Sequence, residues 1–468
     1  MLEPRSPIVT ILGHVDHGKT TLLDALRKTN VATREAGGIT QSIGASVVTT
    51  KEGRGITFID TPGHAAFKQM RSRGAQVCDI AVLIVAADDG VKPQTKEALE
   101  IIVAEKLPLL VCVTITDLPS SDPDTVITQL EKEGILFEGS GGNTPLIKVS
   151  AKKNEGLEPL MEMIVLLSDM GEIKADSEAD LDAFVVETRR DKRGSMASVI
   201  VRNGKLEVGE KILIDGEVSK VRGLFNSFNR PIREVLPGEP ALVLGFEKMP
   251  PIGAKITGLK DELLDKHKTS STKETATPTD ANLVKLNIVV KAQTSGSLEA
   301  LLSNLPSPVG VIASGVGDVI EADVFAAKSA SDCRIFAFEV KVPTNIARLA
   351  ATEGVEIEEF NIIYKFFERI DEVLKQGIEK EMGRAEIIAS FPYENRKVAG
   401  CKMLKGRIGK EDNLKLERNG ETLASAKIAS LRKEKKDITE VKQGEEFGII
   451  LKPQLDFTIG DMLVSVSL

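Results

Sequence analysis

The sequence is sparing with residues that cross-link a chain or suit it to a special environment. Four cysteines (Cys78, Cys112, Cys333 and Cys401) are spread over 468 residues with no C-x-x-C pair. That spacing argues against a disulfide framework or a thiolate metal site, and fits reduced, buried thiols in a cytoplasmic protein. No apolar run is long enough to cross a bilayer, and residues 1–5 are too short and polar for a signal peptide, so no membrane association is expected. Excess positive charge is missing too. The net charge is −8, so any contact with nucleic acid has to be local. Histidine is scarce and unevenly placed: of four, His14, His17 and His64 fall in or beside phosphate-type motifs, and His267 in a polar stretch. A chain this long exceeds one core, and three or four domains are expected.

What is present starts with Gly13-His14-Val15-Asp16-His17-Gly18-Lys19-Thr20, which fits G-x-x-x-x-G-K-[ST]. The apolar run 8–12 reads as a buried strand, and 21–27 as a helix with Leu22, Leu23 and Leu26 on one face. The loop between them therefore offers backbone N–H groups and a helix N-terminus to phosphates. Gly13, His14, Val15, Asp16, His17, Gly18, Lys19, Thr20 and Thr21 form the expected cradle. Lys19 is expected to reach the β- and γ-phosphates, and the Thr20 hydroxyl to ligate Mg²⁺. A second strand ends in Asp60-Thr61-Pro62-Gly63-His64. Asp60 suits Mg²⁺ held through a water, and the Gly63 N–H suits a γ-phosphate. Between the two motifs, Glu35-Ala36-Gly37-Gly38-Ile39-Thr40-Gln41 reads as a loop that orders on nucleotide binding, with Thr40 as a second hydroxyl ligand.

Gly13 to Thr20, Gly37-Gly38-Ile39-Thr40-Gln41 and Asp60-Thr61-Pro62-Gly63-His64-Ala65-Ala66-Phe67 together resemble bacterial translation initiation factor two, a ribosome-bound GTPase. The match extends through Met70 to Ala75 and Ala86 to Thr95 and covers nearly the whole chain. The resemblance implies GTP and GDP with Mg²⁺ as ligands. It implies the ribosome (both subunits) and formylmethionyl initiator tRNA as partners, and a monomer. It makes His64 the residue that orients the attacking water, and Val15 and Ile39 an apolar gate over it. Two alternatives remain at this level: an elongation-type translational GTPase, and a nucleotide-sensing ribosome-binding protein that does not hydrolyse. The guanine loop departs from the pattern. GTPases usually carry Asn-Lys-x-Asp where this chain has Thr114-Ile115-Thr116-Asp117. Asp117 can still accept from guanine N1 and N2, and Ser150-Ala151-Lys152 matches the loop that meets guanine O6. The missing Asn and Lys imply base affinity weaker by roughly 5- to 400-fold.

The expected architecture is a multidomain α/β chain. A P-loop GTPase domain (1–175) is followed by a β-barrel (178–260) with Asn203-Gly204 and Asp215-Gly216 as hairpin turns. A polar linker (261–282) precedes an α/β/α layer domain (283–360). Apolar positions at helical spacing from Asn361 predict a long connecting helix over 361–382. The last segment, 384–468, reads as a second β-barrel with a hairpin at Asn419-Gly420. Its Val441-Lys442-Gln443-Gly444-Glu445 repeats Val235-Leu236-Pro237-Gly238-Glu239. By resemblance this barrel binds the formylmethionyl end of the tRNA, and Cys401 matches the family pattern there, with Gly448 as a further candidate contact. Its densest basic run, Arg432, Lys433, Lys435 and Lys436, reads either as a tRNA contact or as a solvated face. Its net charge is roughly +3 by residue count. Glu434 and Phe447 stand where the family often has an aromatic and a cysteine.

Overall fold

A computed structural model describes residues 1–29, 40–259, 286–330, 333–375, 380–393, 396–418, 421–433 and 436–467. The chain forms two compact units: Met1–Asn282 with Asn287–Phe366, and Leu283–Leu286 with Phe367–Leu468. Ile39, Lys435, the 261–282 segment and the Asn419-Gly420 turn lie outside the described residues.

In the first unit, a six-stranded sheet runs Gly44–Thr49, Gly55–Asp60, Ile8–Gly13, Ile80–Ala86, Leu109–Thr114, Leu146–Lys148. All pairs are parallel except Gly44–Thr49 against Gly55–Asp60. Ile8–Gly13 and Ile80–Ala86 are buried along their whole length because helices cover both faces. Leu22, Leu23, Leu26, Leu160 and Ile164 pack into one cluster, and Leu99, Ile102, Val126 and Leu130 into another. Gly13, Asp60, Ala86 and Thr114 end neighbouring strands, so the loops after them gather on one edge of the sheet.

The next strands, Asp182–Asp191 to Lys255–Gly258, form a curled antiparallel sheet. Asp215 and Gly216 take φ of 47° and 79°, and Ile214 faces Glu217, so this turn is the tight hairpin its sequence predicts. Asn203-Gly204 is not one. The strand that follows, Leu206–Glu207, pairs with Glu234–Val235 instead. Glu217–Lys220 leads on through Arg222, whose N–H meets the Leu244 carbonyl at 2.8 Å, into Gly223–Phe225, which pairs with Pro240–Phe246. One bent stretch thus joins the two ends of the sheet.

A four-stranded sheet follows, in the order Val309–Val316, Leu286–Ala292, Cys333–Phe338, Glu356–Phe360. Helices Ser295–Ser303, Glu321–Ser329 and Thr344–Glu353 accompany it. The strand Glu356–Phe360 reads Glu-Ile-Glu-Glu-Phe, too charged to stand out in the sequence. Arg334 bonds its Glu356 and Glu358 at 3.2 and 2.9 Å.

Glu187, on Asp182–Asp191, accepts N–H groups from Thr188 (2.8 Å) and Gly296 (3.1 Å), and so caps the helix Ser295–Ser303. Burial pushes its carboxyl up to about 7, against those hydrogen bonds. The folded state therefore holds a proton that the unfolded chain releases near 4.5. The stabilisation is complete below 4.5 and is lost as pH rises through about 7. The gap amounts to about 3 kcal/mol. Glu187→Gln is expected to match wild type near pH 5 and to exceed it in thermal stability at pH 8.5. Identical melting curves of the two proteins at both pH values would remove Glu187 as a titrating group.

In the second unit, Lys380–Tyr393 pairs with both Met462–Ser467 and Arg396–Gly409. The order Lys380–Tyr393, Met462–Ser467, Asn413–Arg418, Glu421–Lys433, Glu446–Lys452, Arg396–Gly409 closes on itself as a six-stranded barrel. This corrects the helix expected over 361–382 and the barrel start at 384. The helix described is Ile363–Lys375, and Lys380 and Glu381 already face Ser467 and Val466 in the ladder, which overrides the helical pattern. The repeated pentapeptides form the same turn. Gly238 and Gly444 both have φ of 86°. The Glu239 and Glu445 carboxylates accept the N–H of Leu236 and Lys442, at 3.1 and 2.8 Å. Of the two, Gly238 is wedged, where a Cβ would come within 2.4 Å of the Ser6 carbonyl; one at Gly444 would meet nothing within 4 Å among the described residues. The Thr57 hydroxyl also donates to the Gly238 carbonyl.

Candidate functional site

The loop after Ile8–Gly13 turns on left-handed residues: Asp16 has φ of 63° and Gly18 of 79°. Gly18 precedes the helix Lys19–Arg27, which starts two residues earlier than its apolar pattern shows. Lys19 is buried and donates to the carbonyls of Gly13, at 3.0 Å, and His14. Burial brings its pKa down to about 8, although the Asp60 charge opposes this. The Thr20 and Thr40 hydroxyls share a 2.7 Å hydrogen bond, and Thr40 Oγ1 donates to Asp60 Oδ2 at 3.5 Å. Three oxygen groups from separate segments thus meet beside the loop, the hard-donor set that Mg²⁺ takes. Gly63 closes the other side: a Cβ there would stand 2.5 Å from Lys19 Nζ and 3.3 Å from the Val15 nitrogen. Thr21 is exposed, one step past the loop.

Two residues that sequence reading left without a role complete the loop. Gln94 Oε1 accepts the Val15 N–H at 3.0 Å. Asp89 Oδ2 lies 3.3 Å from Nε2 of the buried His17, with Lys92 2.7 Å from Asp89 Oδ1. Burial lowers the pKa of both His14 and His17. The only hint of Gln94 was its place in the stretch Ala86 to Thr95, which extends the family match.

His64 precedes the short turn Ala65–Phe67, and its Nδ1 accepts the Ala66 N–H at 3.1 Å. Its neutral ring therefore carries the proton on Nε2. Burial, and secondarily the Arg71 charge, lowers its pKa. Arg71 is itself buried and donates to the carbonyls of Pro62 (2.9 Å) and His64 (2.5 Å) and to Glu97 (2.6 Å). The His64 ring meets the Tyr364 ring edge-on, with centroids 4.4 Å apart.

The structure joins the guanine loop to the phosphate loop through Thr114. Its hydroxyl donates to the His17 carbonyl at 2.7 Å. The two loops are thus tied together although the Asn of the usual pattern is missing. Ile115 has φ of 57°, an unfavourable conformation for a β-branched side chain, costing about 1–3 kcal/mol. Ser150 Oγ donates to Asp117 Oδ1 at 2.9 Å and accepts the Lys153 N–H at 3.2 Å, so Asp117 and the Ser150-Ala151-Lys152 turn form one wall. Lys152 itself is exposed.

Residues 4–169 match the family model of the elongation factor Tu GTP binding domain, 180–259 that of elongation factor G domain 2, and 260–371 that of translation-initiation factor 2. Translation initiation factor IF-2 of Caldanaerobacter subterraneus subsp. tengcongensis is 41% identical over 493 aligned positions, covering 99% of this chain and 69% of that one. That of Dehalococcoides mccartyi is 39% identical, with 98% and 82% covered. The chain belongs to the translation initiation factor IF-2 family. It is a translational GTPase with a GTP-binding first domain. A solved structure, GDP-bound aIF5B from Aeropyrum pernix, is 25% identical with a TM-score of 0.47, covering 99% and 92% of the two chains. Among the described residues no helix is long and apolar enough to cross a membrane.

In this IF-2 family member, the last barrel sets its candidate contacts on three neighbouring strands. Arg432 faces Gly448, Gly448 faces Gly400, and Phe447 faces Cys401. Cys401 needs correction as a direct contact. Its thiol lies in the barrel core, 1% exposed, and burial pushes its pKa up to about 12. Phe447 fills the same core, so the pair is interior packing. Arg432 meets Asp437 at 2.7 Å and Lys433 meets Glu445 at 2.6 Å, both near the surface, where such pairs contribute little. Lys436 is exposed.

Proposed function

We propose that this chain recruits formylmethionyl initiator tRNA to the small ribosomal subunit, promotes subunit joining, and hydrolyses GTP when the ribosome stimulates it, acting as a monomer in the cytoplasm. The observation that carries the hydrolytic part is the convergence of Thr20, Thr40 and Asp60 beside Lys19 and Gly63. Mg²⁺ held there would neutralise phosphate charge. Lys19 adds a buried cation, which in a low-dielectric setting stabilises developing negative charge. His64 presents Nε2–H to the attacking water and orients it, so the work is positioning and electrostatics. Val15 is half-buried beside this site; its expected partner in the gate, Ile39, is not among the described residues. Two measurements test the proposal: calorimetric binding of GTP, GDP and ATP, and GTP turnover with and without 70S ribosomes. ATP binding as tight as GTP, or turnover indifferent to ribosomes, overturns it.

The tRNA part rests on the Arg432 cluster and the family resemblance. Arg432 and Lys433 would exchange Asp437 and Glu445 for phosphates, while Lys435 and Lys436 add charge. Replacing all four by alanine is expected to weaken initiator tRNA binding. The slope of log affinity against log salt should fall by about 3–4 if all four contact phosphates, since each phosphate contact contributes about 0.7–0.9. Filter binding at several salt concentrations reads this slope, and a mutant with the wild-type slope returns the cluster to solvated surface.

A further inference from the structure

Gln41 and Tyr364 are joined to the nucleotide site from a distance in sequence. Gln41 follows Thr40 directly and is buried. Its Oε1 accepts the Ile363 N–H at 3.0 Å, and its Nε2 donates to the Asn361 carbonyl (2.8 Å) and to Glu339 (2.9 Å). One side chain thereby fixes the start of the helix Ile363–Lys375. Asn361 stands two residues ahead of that helix and is held by its carbonyl. Tyr364 comes next, in the first turn. It is 38% exposed, and its ring centroid is 4.4 Å from that of His64 at an interplanar angle of 90°. On the other side of the turn, Phe366 packs among Phe336, Phe338 and Phe360, with centroids 5.5 to 6.4 Å away, so the turn has a firm base.

We propose that Tyr364 is a positioning residue for GTP hydrolysis: its ring parks His64 against the first turn of this helix, and Gln41 ties that turn to the segment carrying Thr40. The inference rests on the reading of His64 as the residue that orients water. A histidine with Nδ1 engaged by a backbone N–H and one edge of its ring against an aromatic has little rotational freedom. It swings toward a phosphate only by giving up the Tyr364 contact. Gln41 makes that contact sensitive to the Thr40 segment, because any shift of Thr40 pulls on the residue beside it. Basal hydrolysis is thus held back from the first turn of this helix.

The test uses the full chain and single-turnover hydrolysis of GTP without ribosomes. Tyr364→Ala is expected to raise the rate by about 2- to 13-fold, the range that loss of one aromatic pair allows, with the GTP dissociation constant unchanged. Tyr364→Phe, which keeps the ring, should restore the wild-type rate. The imidazole proton resonances of His64, assigned with His64→Ala, should move in Tyr364→Ala and stay in Tyr364→Phe as the ring current is lost or kept. Tyr364→Leu keeps the volume and gives the same reading should the alanine variant not fold. An unchanged basal rate, or a lowered one, overturns the proposal. Failure of the underlying reading looks different: His64→Ala would then keep full ribosome-stimulated turnover, whatever Tyr364 does to the resonances.

Discussion

Replacing His64 by alanine is expected to leave GTP affinity within about twofold and to cut ribosome-stimulated turnover by about 10²- to 10⁴-fold, the usual span for a positioned proton-handling side chain. Affinity should hold because the groups proposed to face the phosphates are elsewhere: the loop backbone, Lys19, and the Thr20, Thr40 and Asp60 oxygens. The fold should hold too. The substitution removes one cap to the Ala66 N–H, worth about 1 kcal/mol, while Arg71 still holds the Pro62 and His64 carbonyls. The pH profile carries a second signature. Burial and Arg71 keep the ring neutral at and above pH 7, so the acid-side fall in wild-type turnover should come only below the ordinary histidine value. Stopped-flow phosphate release on 70S ribosomes measures both. Unchanged turnover in the alanine variant removes His64 from the mechanism.

The second large effect concerns base choice. Asp117→Asn is expected to lower the preference for GTP over ATP by about 10²-fold or more. A carboxylate that pairs two guanine donors is left unsatisfied by adenine, and a site built on such a bond discriminates strongly. Ser150 donates to one oxygen of Asp117 and so fixes the orientation of the carboxylate. The neighbouring positions matter less than their sequence suggests. Thr114 already supplies the tie to the phosphate loop at 2.7 Å, leaving only the cation–π contact of a lysine stem to be gained. That contact is worth about 0.5–2 kcal/mol, or about 2- to 30-fold in affinity. Thr114→Asn with Ile115→Lys should therefore tighten GTP and GDP by no more than this. Calorimetry on the three proteins with GTP, GDP and ATP decides it. A double mutant with unmoved dissociation constants means that the base is held without that contact, and an Asp117→Asn protein with intact selectivity contradicts the role of Asp117.

Much of the nucleotide site is legible in the sequence because its parts are local. A loop between a buried strand and a helix, and Asp60 with Gly63 at the end of the next strand, each occupy a few consecutive residues whose types answer to one chemical need. Gln94 and Tyr364 leave no such trace. They lie 79 positions from Val15 and 300 from His64 along the chain, and a lone glutamine or tyrosine has no periodicity or spacing to betray it. The strand Glu356–Phe360 is obscured by its own glutamates, which suit an edge but mask the alternation. The end of the long helix fails for a related reason. Its apolar pattern is real as far as Val373, but what claims Lys380 is a partner strand almost ninety residues later. Cys401 shows the limit of resemblance: a matched residue says that the position is alike, and only burial says that it packs the barrel's interior.

The turn at Gly238 and its counterpart at Gly444 show how one backbone bend can be held by different constraints. Both need a residue that tolerates a left-handed backbone, and asparagine can meet that need. At 444 nothing further is asked, so that position can drift. At 238 the backbone of Ser6 occupies the space of a side chain, and Thr57 bonds the carbonyl next to it, so the same exchange would pry the first domain from its neighbour. The same bend is thus replaceable in one barrel and a fixed joint in the other, with nothing in either pentapeptide to mark which is which.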